Sequence, residues 1–142
     1  RHALDSAGAR SMAISIVRLG TPRRPGEGPR LGTVRRPPRG VPRRDFAKRD
    51  CYDTWLPELA PSAALVSWAR AEPWTAARWA RFARRYRAEM REPAPRHIIE
   101  MLAALSATTD LSLGCYCADE SRCHRIILRE LLDEAGATLR SA

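Results

Sequence analysis

The stretch Leu111-Ser112-Leu113-Gly114-Cys115-Tyr116-Cys117-Ala118-Asp119-Glu120-Ser121-Arg122-Cys123-His124-Arg125 decides the reading of this chain. Its first half is apolar and compact and reads as a strand from Leu111 to Cys117. After it, Ile127, Leu128, Leu131 and Leu132 recur at helical spacing, so a helix is predicted from about Cys123 to Ala135, with Gly136 as its C′ stop. Three of the chain's four cysteines and a histidine therefore gather where a strand gives way to a helix. Free backbone N–H groups and the helix dipole favour anions and thiolates at such a junction. Metal binding, thiol chemistry and oxyanion binding all suit it.

Working outward, Ala13–Leu19 reads as a strand from its β-branched content, and Leu31–Arg35 as a short second one. The segments 21–30 and 36–49 are rich in Pro, Gly and Arg and are predicted as loops. Ser62 is placed to cap a helix over Ala63–Ala71, and Thr75 one from Ala76 to about Arg91. That second helix carries Trp79, Phe82, Ala83, Tyr86 and Met90 on one face, and Arg78, Arg81, Arg84, Arg85 and Arg87 opposite, read as a solvated face. A third helix is predicted after Pro95, burying Ile98, Ile99, Leu102 and Leu105, and a last short strand within 137–140. Strands mixed with helices argue for an α/β fold, a small single-domain sandwich with a short, largely parallel sheet flanked by helices. Ligands in such sheets bind at the carboxyl ends of strands, where Cys117–Arg125 would sit.

With 142 residues and 44% apolar content, the chain is expected to form one domain over residues 12–142. Residues 1–11 are polar and without periodicity, and read as an extension or cloning remnant. The formal charge of +9 favours anionic partners, either a small molecule or nucleic acid. Yet Lys48 is the only lysine, and abundant arginine and alanine together match the codon bias of a GC-rich bacterial genome, so part of that charge is background. No apolar run approaches the roughly 20 residues a membrane helix needs, and no apolar h-region of a secretory signal is visible. Free or metal-bound thiols in a reducing cytoplasm are expected rather than disulfides.

Cys115, Cys117, Cys123 and His124 offer the sulfur and imidazole donors that tetrahedral zinc accepts. Against this set, neighbours on a helix diverge by about 100°, so Cys123 and His124 are not expected to share one metal easily, which leaves a three-ligand site of the thiols alone as the alternative. For thiol chemistry, Cys123 or Cys117 supplies the thiolate and His124 moves protons, with Arg122 or Arg125 lowering the thiol pKa. Burial as small hydrophobes is the plain alternative, strongest for Cys115. Arg35, Arg36 and Arg39 stand in a proline-stiffened loop suited to bidentate anion binding, and Arg125 is a fourth candidate. Tyr52, Asp53 and Trp55, in the connector, are candidate pocket residues. Asp119 and Glu120 either solvate the cysteine loop or lock onto Arg35 or Arg39.

Four ordered motifs now carry a resemblance: Gly32–Val41, Tyr52–Ser62, Phe82–Met90 and Cys115–Arg125. Together they resemble the proteins grouped as domain of unknown function 488, the YeaO-like family, in its subgroup with Cys-Tyr-Cys and Cys-His-Arg elements. The likeness runs from about Ile14 to Gly136. It implies a bacterial cytoplasmic α/β domain whose arginine and cysteine–histidine motifs form one site. The reading that follows is a small enzyme that binds an anionic, phosphate-bearing substrate through arginines and uses a reactive cysteine. Two alternatives stand beside it, a nucleic-acid-binding accessory protein and a zinc-stabilised structural module.

Overall fold

Every residue of Leu111–Cys115 is buried, which places this strand inside the sheet rather than at an edge. The computed structural model describes residues 11–141, so the expected extension at residues 1–11 lies almost wholly outside the described residues. In chain order the strands are β1 (Ile14–Arg18), β2 (Arg30–Gly32), β3 (Thr54–Trp55) and β4 (Leu111–Cys115). The helices are α1 (Ala63–Arg70), α2 (Ala76–Met90), α3 (Pro93–Leu105) and α4 (His124–Glu134). The strands lie in the order β1-β4-β2-β3 and are parallel throughout. The fold is thus a small α/β domain, as the pattern of elements predicted.

Pleating divides the sheet into two faces. Ile14, Leu111 and Leu113 turn toward one cluster with Leu65 of α1, Phe82, Tyr86 and Met90 of α2, Ile99 and Leu102 of α3, and Ile127, Leu128 and Leu132 of α4. The opposite face is covered by irregular chain, where Leu19, Cys51 and Tyr52 pack with Val17, Val34, Phe46 and Tyr116. Tyr52 lies so close over Gly32 that a methyl group there would overlap its ring.

Arg30 holds this irregular layer together. It is fully buried, donates through Nε to Glu27 Oε1 at 2.8 Å, and its Nη1 reaches the carbonyls of Thr21 and Asp50 at 2.8 and 2.7 Å. Long loops carry many backbone acceptors, and one guanidinium with five donors satisfies several of them at once.

Several boundaries differ from the sequence reading. α3 begins at Pro93 rather than after Pro95, because the first turn of a helix needs no backbone donors and accepts both prolines. β2 stops at Gly32, and the residues after it bend away toward the paired prolines Pro37 and Pro38. β3 falls in the connector; it is two residues long, below what periodicity detects. The final strand reduces to a single bridge between Ile14 and Leu139. The caps are as read: Ser62 Oγ accepts from Leu65 N–H, Thr75 Oγ1 accepts from Arg78 N–H, and Gly136 follows α4 with a φ of +88°.

The arginine face of α2 is not merely solvated. Arg78, Arg81 and Arg85 gather over the ring of Trp68, the first at 4.1 Å from its centre. A helix-only reading has no view of the α1 side chain that draws them in.

Candidate thiol–imidazole centre

β4 ends at Cys115, not Cys117, so the two cysteines are not alternate residues of one strand. Cys115 points to the helical side and is buried. The chain then loops out through Cys117, which is exposed, makes a short 3-10 turn at Glu120–Arg122, and returns at Cys123 beneath the start of α4. Asp119 caps that turn by accepting from Ser121 N–H at 3.0 Å and Ser121 Oγ at 2.7 Å. Arg125 is itself buried and ties the loop down, its Nη2 donating to the Cys117 carbonyl at 2.7 Å.

Return of the loop brings Cys123 Sγ to 2.8 Å from Cys115 Sγ. His124 Nδ1 lies 3.7 Å from Cys123 Sγ. Among the described residues, the donor atoms of Cys115, Cys123 and His124 all fall within 4.8 Å of one another, close enough to hold a metal ion. This corrects the expectation that Cys123 and His124 diverge. Cys123 is the residue before the helix, with φ −129° and ψ 148°, so the 100° step of a helix does not apply between them.

The His124 tautomer follows from its partners. Nε2 lies 2.8 Å from the Thr33 carbonyl oxygen, which only accepts, so Nε2 carries the hydrogen. Thr33 Oγ1, 3.1 Å from the same nitrogen, is within 3.0 Å of the Gly114 carbonyl. Nδ1 is left with a lone pair facing the sulfurs. Tyr86 closes over the imidazole edge-on, at 5.6 Å between ring centres, ending an aromatic row that runs through Phe82, Trp79 and Trp74. Burial, opposed by the hydrogen bond to Thr33, lowers the His124 pKa to about 4 and favours the neutral ring.

The sulfurs divide their protons unequally. The neighbouring Cys115 and then Cys123 pull the Cys117 thiol far below its ordinary value, against burial, with His124 and Arg125 helping. Cys115 is pushed far above by its neighbours Cys117 and Cys123, and further by burial. For Cys123, the contact with Cys115 lowers the pKa, but Cys117 and burial outweigh this and raise it to about 11. These shifts favour the thiolate on Cys117, the exposed sulfur, over the buried thiols of Cys115 and Cys123.

The other candidates are more dispersed. Arg35 uses Nε and Nη2 to hold the carbonyls of Pro61 and Ala60 at 3.1 and 3.2 Å, while Arg36 and Arg39 are exposed. Asp53 accepts from Arg23 Nη1 and from Arg30 N–H, both at 2.7 Å. Tyr52 is buried against Gly32, and Trp55 Nε1 donates to the Val34 carbonyl at 2.7 Å. No ion pair joins Asp119 or Glu120 to Arg35 or Arg39 among the described residues. Sequence reasoning did not single out Thr33, although its alternation with Leu31 puts it on the helical face. Tyr86 carries no signal in the sequence beyond its place on the apolar face of α2.

A family model described as "Active DUF488-N3 subclade" matches residues 14–136. The chain belongs to the DUF488 family. The matched range contains both Thr33 and the cysteine loop, so the DUF488-N3 subclade spans the whole centre described above. Comparison with curated proteins and with solved structures gave no match.

Proposed function

We propose that this DUF488-N3 domain is a small thiol-dependent enzyme in which Cys117 is the nucleophile toward an anionic substrate. The observation that carries this reading is the contrast among the three sulfurs: Cys117 alone is exposed, while Cys115 and Cys123 are buried beside His124, and their proximity favours the thiolate on Cys117. A thiolate held this way is reactive near neutral pH without a separate base. In the reaction, the Cys117 sulfur donates its electron pair to the electrophilic atom of the substrate and forms a new bond. The leaving group departs with the pair of the bond it loses and takes a proton from water. A water molecule then displaces the substrate from sulfur, releasing a proton and restoring the thiolate. The subclade's description as active is in keeping with this reading.

The test is alkylation of the full chain by iodoacetamide at pH 7, read cysteine by cysteine by mass spectrometry. Cys117 is expected to react at least tenfold faster than Cys51, Cys115 and Cys123, and uniform slow reaction refutes the assignment.

A second reading rests on a separate observation, the Nδ1 lone pair of His124 aimed at Cys115 and Cys123. Two thiolates and an imidazole suit zinc, whose structural sites take sulfur and nitrogen in tetrahedral array. Cys115, Cys123 and His124 would hold the ion, and its contribution would be to fasten the end of β4 to the start of α4. Stoichiometric zinc in the purified protein, with a lower melting temperature after chelation, favours this reading; its absence removes it.

A further inference from the structure

The arginines foreseen near the cysteine loop, Arg35, Arg36 and Arg39, are engaged elsewhere or simply exposed. A different set stands beside it. In the parallel register, Arg18 at the end of β1 is paired with Cys115 at the end of β4, so both side chains leave the sheet on the same face. Arg18 also lines a concavity of about 650 Å3, together with Arg24, Arg129 of α4 and Glu120 of the cysteine loop. Glu120 makes the concavity and the cysteine loop neighbours, since it lies three residues after Cys117.

The charges in this hollow are not equivalent. Arg23 is taken by Asp50 and Asp53, and Glu27 by Arg30. The guanidiniums of Arg18, Arg24 and Arg129 have no carboxylate partner among the described residues, the Arg24 backbone N–H alone donating to Glu27 Oε2 at 3.0 Å. A sheet edge adds a backbone donor. Ile14 N–H points outward to the Thr138 carbonyl, whereas Leu19 N–H points inward to that of Cys115. Alternation along the strand therefore turns the Ile16 N–H to the open edge that the concavity borders. No aromatic side chain lines the hollow, so it lacks the platform on which unpaired bases stack.

We propose that this concavity is the anion-binding subsite of the Cys117 centre, and that Arg18, Arg24 and Arg129 hold a phosphate-bearing small molecule there. The proposal rests on the thiol-enzyme reading for its role and on the arginine geometry for its existence. Its volume accommodates a ligand of nucleotide size, within the range of about 300–1,000 Å3 usual for small-molecule sites. Three guanidiniums on different elements can meet different oxygens of one phosphate or pyrophosphate group.

Inorganic pyrophosphate, titrated into the full chain by calorimetry at low salt, is the probe. Saturable one-to-one binding is expected, weakened about tenfold by Arg18→Gln and by Arg129→Gln, in line with one charge-assisted hydrogen bond each. Arg84→Gln, an exposed change on α2, should leave it unaltered. Arg18→Lys is the second variant, expected to retain more affinity than Arg18→Gln; melting curves confirm that each variant is folded. Non-saturable binding, equal weakening by Arg84→Gln, or tighter binding of a ten-residue oligothymidylate through the same arginines overturns the proposal. Alkylation of Cys117 in the same samples separates the two readings. Fast alkylation without pyrophosphate binding refutes the subsite alone, and pyrophosphate binding without fast alkylation refutes only the nucleophile.

Discussion

His124 Nε2 donates to the carbonyl oxygen of Thr33 across 2.8 Å, although 91 positions separate the two residues. That bond joins the end of β2 to the start of α4 and fixes which imidazole nitrogen faces the cysteines. Long-range 1H–15N spectra are expected to show the neutral ring protonated on Nε2. A ring protonated on Nδ1 contradicts the arrangement. His124→Ala leaves a buried carbonyl without its donor and should destabilise the fold by about 1–3 kcal/mol, read by urea denaturation.

Arg30 is expected to be the most costly single charge to remove. Arg30→Met leaves Glu27 buried without its partner and strips the carbonyls of Thr21 and Asp50 of a donor. Removing one member of a buried pair costs about 3–5 kcal/mol. Urea midpoints of the variant and the native chain at pH 7 test this.

The same layer sets the acid limit. Burial raises the carboxyl pKa values of Glu27 and Asp53, but Arg30 for the first and Arg23 for the second, with backbone donors, outweigh it and lower both. A carboxylate whose folded pKa lies below its unfolded one adds stability above the unfolded value and loses it as the pH falls through the folded one. Stability is therefore expected to be flat from this source above about pH 5 and to drop below about pH 4. In Glu27→Gln that acid dependence should be shallower, as measured by denaturation at pH 3, 4, 5 and 7.

Ser62 does two jobs. Its Oγ caps α1 through Leu65 N–H and reaches Glu89 Oε2 of α2, while its own N–H donates to Glu89 Oε1 at 2.8 Å. Ser62→Ala should cost about 1–2 kcal/mol, the upper end of a lost cap, because the contact to Glu89 goes with it. Glu89→Gln, which keeps an acceptor, should cost less; thermal melts compare the two.

Tyr86 shows how packing and site overlap. Its hydroxyl donates to the buried Leu59 carbonyl at 2.7 Å, and its ring closes over His124. Tyr86→Phe keeps the ring and loses the donor, at about 1–3 kcal/mol. The His124 ring signals in the NMR spectrum should shift little in this variant, and strongly in Tyr86→Ala.

Much of the architecture was legible because it follows local rules. Apolar spacing marked α1, α2 and α4 to within about a residue, and Ser62, Thr75 and Gly136 marked their ends. The strand–helix junction at Cys115–His124 was visible for the same reason. Short or exceptional pieces were not: β3 is two residues long, and Pro93 and Pro95 sit inside a helix start that sequence rules read as a break. At the candidate site, the cysteines and histidine were named from sequence, but the objection to Cys123 and His124 acting together assumed a helical backbone at Cys123.

By itself, then, the sequence determined the α/β class, the capped helices and the gathering of thiols and imidazole at one strand end, since each depends on residues a few positions apart. Only the tertiary structure decided which distant groups complete that place. Parallel pairing of β1, β4 and β2 puts Arg18 beside Cys115 and Thr33 against His124, and directs Arg35 to the carbonyls of Ala60 and Pro61 instead. Register and loop path are collective properties of the packed sheet, and no local pattern encodes them.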